Sequence, residues 1–203
     1  MNMRPLSLKH LLFGACLALL TLAPGPARAM DGFTPLVGQW RTETVAGAAV
    51  LVVDGSRHKV SATEHFPIAV HAGTQDFREG TITVRFQPVS GIEDQAGGIF
   101  FDRKANGDYL VVRANALENN LNLYRYDSGR RRAIKEVGNA PASSGSWHEL
   151  KIIITGTSLQ GYLDGSLLLT HTLDRPVSGG VGLWSKDDSL TRFKDFQVSA
   201  SKP

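Results

Sequence analysis

Between residues 30 and 203, no window of a dozen residues keeps an apolar period near 3.6. Short β-branched or aromatic runs instead return every 8–14 residues, separated by turn signals. That rhythm excludes a helical fold and leaves strands. Residues 81–86 show it most cleanly, with Ile82, Val84 and Phe86 on one face and Thr81, Thr83 and Arg85 on the other. Further runs cover 48–53, 98–101, 109–114, 121–126, 148–155, 159–163, 167–172, 180–184 and 193–198. Between them stand Asp54-Gly55, Asn106-Gly107, Asp127-Ser128-Gly129 and Asp164-Gly165, and Asn106-Gly107 suits the positive-φ positions of a hairpin turn. Ten to thirteen strands and almost no helix predict an all-β fold, a two-sheet antiparallel sandwich. No linker, low-complexity tract or internal repeat divides the chain, so 30–203 reads as a single β-sandwich domain. Residues 30–45 supply either a terminal strand near Trp40 or an irregular lead-in.

The first 29 residues follow a different rule. Arg4 and Lys9 precede the apolar run 11–20, and Pro24 and the small-x-small triplet Ala27-Arg28-Ala29 follow it. This is the order of a cleavable signal peptide over 1–29, which predicts a periplasmic or secreted protein. The apolar run is too short for a membrane span. Its removal also changes the charge. The chain carries 22 basic and 19 acidic residues, and the leader holds Arg4, Lys9, Arg28 and no acid, so the remainder balances at 19 of each. A neutral domain lacks the electrostatic footprint of a nucleic-acid partner. The cluster Arg130-Arg131-Arg132 with Lys135 reads as a solvated hairpin edge rather than a polyanion site. Cys16, the one cysteine, falls in the leader, so the exported part has no disulfide, thiol nucleophile or cysteine–zinc site. Gly14-Ala15 before Cys16 raises lipidation as an alternative, but Phe13 fits poorly and the apolar run continues beyond the cysteine.

Sites of chemistry are sparse. Glycosidases that place paired carboxylates on one strand use Glu-x-Asp-x-x-Glu, and no such spacing occurs here. Glu93-Asp94 and Asp187-Asp188 are adjacent pairs, which point to opposite faces of an extended strand. His58, His65, His71, His148 and His171 form no tight metal spacing, and there is no Gly-x-Ser-x-Gly elbow. The richest polar strip is Arg113 and Asn115 on one strand with Asn120, Asn122, Tyr124 and Tyr126 on the next. Period two puts each set on one face. If the strands pair, amides, a phenol and a guanidinium converge, which is the mixture that sugar hydroxyls and sugar C–H faces require. The competing reading is an ordinary solvated sheet face. The run 184–188 is a second ligand rim, with Trp184 and Lys186 as contacts, unless Trp184 belongs to the core.

Longer motifs carry a resemblance. Ser146-Trp147-His148-Glu149-Leu150-Lys151-Ile152 is followed by Gly161-Tyr162-Leu163-Asp164-Gly165, Gly179-Gly180-Val181-Gly182-Leu183-Trp184 and Phe193-Lys194-Asp195-Phe196. This order resembles the concanavalin A-like jelly rolls, which include laminin-G-like modules and the bacterial 3-keto-disaccharide hydrolase domain. The segments 94–98 and 109–120 are similar to that last group, and the resemblance covers 75–199. It implies a concanavalin A-like jelly-roll sandwich. Much of the pattern also has a plain structural reason, with Trp147, Leu150, Ile152 and Ile154 read as a core face and Phe196 as core rather than ligand contact. The resemblance also implies a Ca2+ site outside EF-hand spacing, using Asp94 or Asp108, where the bland alternative is a polar turn. Related domains often place an arginine after the Gly-Gly strand, and this chain has Asp102 there.

Three functions follow as expectations. The first is an exported carbohydrate-recognition sandwich that binds a glycan or small sugar ligand. The second, implied by the resemblance, is a hydrolase or lyase acting on 3-keto-glycosides, with Glu118 or Asp188 as general acid or base. The third is a structural or protein-interaction module with no small ligand. The leader is directly checkable. Mass spectrometry of the exported protein is expected to give a chain beginning at Met30, and a mature form that keeps a lipidated Cys16 would exclude that reading.

Overall fold

The computed structural model describes residues 32–57 and 66–200. The segment 1–29, read as a signal peptide, with Cys16, and His58 and His65, lie outside the described residues. Fourteen strands are described: β1 (Phe33–Val37), β2 (Trp40–Val45), β3 (Ala48–Asp54), β4 (Ile68–His71), β5 (Gly80–Ser90), β6 (Ala96–Arg103), β7 (Tyr109–Asn115), β8 (Asn120–Asp127), β9 (Arg130–Gly138), β10 (His148–Thr155), β11 (Ser158–Leu163), β12 (Ser166–Thr172), β13 (Gly180–Ser185) and β14 (Leu190–Ala200). A single 3-10 turn, Gly55–Arg57, follows β3, and no α-helix occurs among the described residues. Residues 30–45 thus give two strands, and the basic cluster opens β9, an edge strand. The short β4 has no alternation long enough to be read in advance.

The strands form two seven-stranded sheets, ordered β1-β4-β13-β6-β7-β8-β9 and β12-β11-β10-β5-β14-β3-β2. Their paired neighbours run antiparallel, as the long order of non-consecutive partners in a jelly roll requires. Between the sheets lies the main core. Ile82, Val84 and Phe86 of β5 meet Ile99 and Phe101 of β6, Val112 and Ala114 of β7, and Leu121 and Leu123 of β8, all fully buried. On β10 the inward series is His148, Leu150, Ile152 and Ile154. Trp147 is therefore one place out of phase with the core. It lies half-buried on the outside, its ring 4.4 Å from Lys194 Nζ. His148 takes the inward place because both ring nitrogens are used there, Nδ1 at 2.7 Å from Asp164 Oδ2 and Nε2 at 3.0 Å from the Ser143 carbonyl. Phe196 is partly buried against the same core.

The two sheets differ in their outer faces. β10 and β5 alternate buried with exposed, whereas every residue of β7, and of β6 up to Asp102, is buried. A strand covered on both sides loses the alternating pattern, and Tyr-Leu-Val-Val-Arg-Ala-Asn on β7 has done so. The outer face of the first sheet holds its own cluster, with Phe66, Phe100, Tyr109, Tyr124, Tyr126 and Trp184 among its members.

Glycines let β13 carry that layer. A Cβ on Gly182 would stand 2.1 Å from the Ala69 carbonyl oxygen of β4 and 2.5 Å from the Phe100 ring. Gly182→Ala is expected to cost about 2–3 kcal/mol in urea unfolding, because neither backbone nor ring has room to yield. A loss below about 0.5 kcal/mol would mean that β4 and β13 are free to slide apart.

Candidate functional site

The candidate site grows from the β7–β8 hairpin. Its register pairs Tyr109 with Tyr126, Val111 with Tyr124, Arg113 with Asn122 and Asn115 with Asn120. The polar residues picked out by period two therefore do share the outer face of the first sheet. Solvation is where the expectation fails. Arg113, Asn115 and Asn122 are at most 1% exposed and Tyr124 is 7% exposed, so they form a buried network rather than a wet face.

Arg113 is its centre. Nη1 donates to Asn120 Oδ1 at 2.5 Å, and Nη2 donates to Glu118 Oε2 at 2.6 Å and to the Tyr124 hydroxyl at 3.0 Å. Asn120 Nδ2 closes the triangle on Glu118 Oε2 at 3.0 Å. Asn122 donates to the same tyrosine hydroxyl and accepts the Val137 amide of β9. Burial pushes the Glu118 carboxyl upward, but the Arg113 charge and the hydrogen bonds from Arg113 and Asn120 outweigh it, so Glu118 titrates below its ordinary value.

Two loops complete this end of the face. Asn115 Oδ1 accepts the amides of Gln95 and Leu117, and its Nδ2 donates to Asp94 Oδ1. Lys186 Nζ lies 2.6 Å from Asp94 Oδ2 and 3.8 Å from Glu118 Oε1, which ties the loops before β6 and after β13 to the hairpin tip. Asp94 is buried, and burial raises its pKa despite the opposing Lys186. What remains open is small: the Glu118 carboxylate, with 40% of its side chain exposed, and beside it the half-buried Asn120.

Four expected positions have other duties. Trp184 is fully buried on β13 and not on a rim; it packs against Phe66 and donates its indole N–H to the Tyr109 hydroxyl at 3.2 Å. Asp188 offers no free carboxylate. It accepts the amides of Ile92 at 2.5 Å, Asp94 at 3.0 Å and Glu93 at 3.2 Å, which clamps the loop before β6. Asp94 and Asp108 stand at opposite ends of β6, and Asp108 is occupied by Asn106 Nδ2 and the Ser128 amide. No group of three or more His, Cys, Asp or Glu side chains converges on a metal-sized site among the described residues.

The other end of the same face joins Tyr126, the last member of the strip, to residues that sequence reading passed over. Tyr109, Tyr126 and Phe66 border a hollow of about 360 Å³ with Arg103 on its wall. Tyr109 shares the parity of Arg113, so extending the strip backwards would have reached it. Arg103 could not be found that way. Asp102 takes a left-handed φ of +57° and makes a β-bulge, so that Arg103 pairs with Gly180 while Phe100 pairs with Gly182. The extra residue shifts Arg103 from the core parity of Ile99 and Phe101 to the outer face. Asp102 is itself buried, where it accepts the Ser178 amide and pairs with Lys104.

No family model and no curated protein matches the chain. Solved structures do. The carbohydrate-binding module CBM66 from Bacillus subtilis has a TM-score of 0.63 and 18% identity, covering 81% of this chain and 93% of that one. The β-glucanase of Bacillus licheniformis follows at 0.57 and 14%, covering 84% and 92%. The alginate lyase AlgAT5 of polysaccharide lyase family 7 stands at 0.54 and 13%, covering 82% and 85%. At these identities the likeness shows the fold, the concanavalin A-like jelly roll.

The Asp188 clamp has a pH signature. Partial burial raises its pKa, but the three amides outweigh that and hold the carboxyl below the ordinary value. A depressed carboxyl contributes stability above the unfolded-chain value near 3.9 and loses it as pH falls through the folded value. Asp188→Asn is expected to lower stability at pH 7 by about 1 kcal/mol and to flatten the acid limb below pH ~4. Identical acid limbs in thermal unfolding of the two proteins would remove the clamp from this account.

Proposed function

We propose that the protein is an exported carbohydrate-recognition sandwich, and that it binds a glycan at the hairpin-tip end of the first sheet's outer face. The observation that carries this reading is the Glu118–Asn120 pair held on a buried guanidinium. A carboxylate accepts hydroxyl donors, an amide both donates and accepts, and Arg113 fixes the two side chains before any ligand arrives. Lys186 adds a donor at the same mouth. Three solved structures of this fold are named for a carbohydrate-binding module, a glucanase and an alginate lyase, which supports a sugar-related role. The leader read over 1–29 supports export.

A second reading has its own observation. Lys186 stands between Asp94 and Glu118, whose carboxyls are pushed in opposite directions, and separated pKa values suit an acid–base pair. Under that reading the chain is a hydrolase or lyase of 3-keto-glycosides, with the exposed Glu118 as base.

The test is calorimetry of the mature protein against neutral oligosaccharides chosen from a glycan array. Glu118→Gln and Asn120→Ala are each expected to weaken binding about tenfold, the loss of one charge-assisted contact. A flat array would overturn the recognition reading. Release of 3-keto-glucose from a keto-glycoside, abolished by Glu118→Gln and kept by Asp188→Asn, would favour the enzyme instead.

A further inference from the structure

We infer that the aromatic hollow at the Tyr109–Tyr126 end of the same face is a subsite for an acidic sugar, a hexuronate whose carboxylate is taken by Arg103 and Arg131 and whose ring rests on Phe66, Tyr109 and Tyr126. The inference rests on the glycan reading for the sugar, and on four separate observations for the site and its charge.

The hollow has about 360 Å³, near the lower end of small-ligand sites. Phe66, Ile68, Tyr109 and Tyr126 give it an apolar floor with phenol hydroxyls, the surface that a pyranose C–H face requires.

Its cations have no carboxylate partner among the described residues. Among the described residues, Arg103, Arg113, Arg131 and Arg192 each keep a buried guanidinium nitrogen with no hydrogen-bond partner. Arg113 and Arg192 pair with Glu118 and Glu43. Arg103 and Arg131 pair with no carboxylate among the described residues, and both belong to this corner. A buried unsatisfied donor on a charged group is costly, and such atoms are rare unless something outside the chain supplies the acceptor.

The two guanidiniums are both neighbours of Phe66. Arg131 lies over the Phe66 ring at 4.9 Å and the Tyr124 ring at 4.7 Å, and Arg103 lines the hollow that Phe66 borders. Burial pushes the Tyr109 phenol well up, and the charges of both arginines pull against it. Asp108 is the one carboxylate in the lining, and its oxygens are already engaged by Asn106 and the Ser128 amide.

The bulge at Asp102, at a left-handed φ that aspartate tolerates, is what turns Arg103 outward. A planar guanidinium fork then meets a planar carboxylate in its favoured bidentate geometry.

The probes are D-glucuronate, D-glucose and inorganic sulfate, titrated into the mature protein by NMR with tyrosine ring signals observed. Glucuronate is expected to bind at least tenfold more tightly than glucose, to weaken with salt, and to shift Tyr109 and Tyr126. Arg103→Gln and Arg131→Gln should each weaken it about tenfold. Arg103→Lys, which keeps the charge and loses the fork, should fall between, and the exposed Arg132→Gln should bind as the parent does. If Arg103→Gln fails to fold, the lysine variant and the salt dependence of the parent decide. Equal binding of glucuronate and glucose overturns the acidic-sugar subsite and leaves the glycan reading standing. Sulfate binding as tightly as glucuronate overturns the sugar part. If neutral glycans bind elsewhere and glucuronate leaves the tyrosine signals still, only this inference falls; if no sugar binds at all, both fall.

Discussion

A guanidinium almost cut off from water must have its charge met by the protein, and Arg113 imposes that demand on the whole hairpin end. Arginine does not neutralise by losing its proton, so the cost of burial is offset only by fixed acceptors. Glu118, Asn120 and the Tyr124 hydroxyl supply them, each from a position that the β7–β8 register already determines. Glu118 is thereby held ionised and pointed at the mouth. Lys186 and Asp94 then extend the network to two loops that are distant in sequence. The candidate site is a by-product of satisfying one buried cation, which explains why so little of it is exposed.

The second constraint is that the first sheet is covered on both faces. A sheet that is wet outside tolerates any polar side chain there, as β10 and β5 do. β6, β7 and β13 have no such freedom. Their outward residues must be glycine where neighbours approach closely, aromatic where space remains, or polar and held by hydrogen bonds. Gly98 beneath Arg113, Trp184 against Tyr109 and Asn115 among three polar partners are the three solutions in turn. Such a face resists substitution as a core does, yet carries the polar atoms that a site needs.

Strand order and facing were legible in the sequence because period two is a local property. The sharing of one face by Arg113, Asn115, Asn120, Asn122 and Tyr124 followed from parity alone. Burial did not follow, because what covers a face is a tertiary fact that no alternation records. Trp184 illustrates this: its strand was readable, but its complete enclosure was not. Trp147 shows the reverse error, since His148 holds the inward place through partners at Ser143 and Asp164 that are not its sequence neighbours. Asp188 read as a free carboxylate because the amides it clamps lie more than ninety residues away. Arg103 was invisible for a further reason. Parity counts through β6 send it inward, and only the left-handed turn at Asp102 reverses the count.

Charge was the feature most easily misjudged at the level of the whole chain. Equal numbers of acids and bases over residues 30–203 speak against a long-range field, but screening limits any field to about 10 Å at 0.1 M salt. Six residue steps along β7 separate Tyr109 from Asn115, roughly 20 Å at about 3.3 Å per step. The two ends of the face are therefore electrostatically independent. At one end Arg113 and Lys186 are matched by Glu118, Asp94 and Asp187, so a ligand there meets dipoles and a single exposed carboxylate. At the other end stand Arg103 and Arg131, and the nearby Asp108 has its oxygens engaged by Asn106 in its own turn and by the Ser128 amide of the next hairpin. A domain with no net charge thus presents two unlike chemical surfaces on one sheet, and only a ligand long enough to cover both would feel them together.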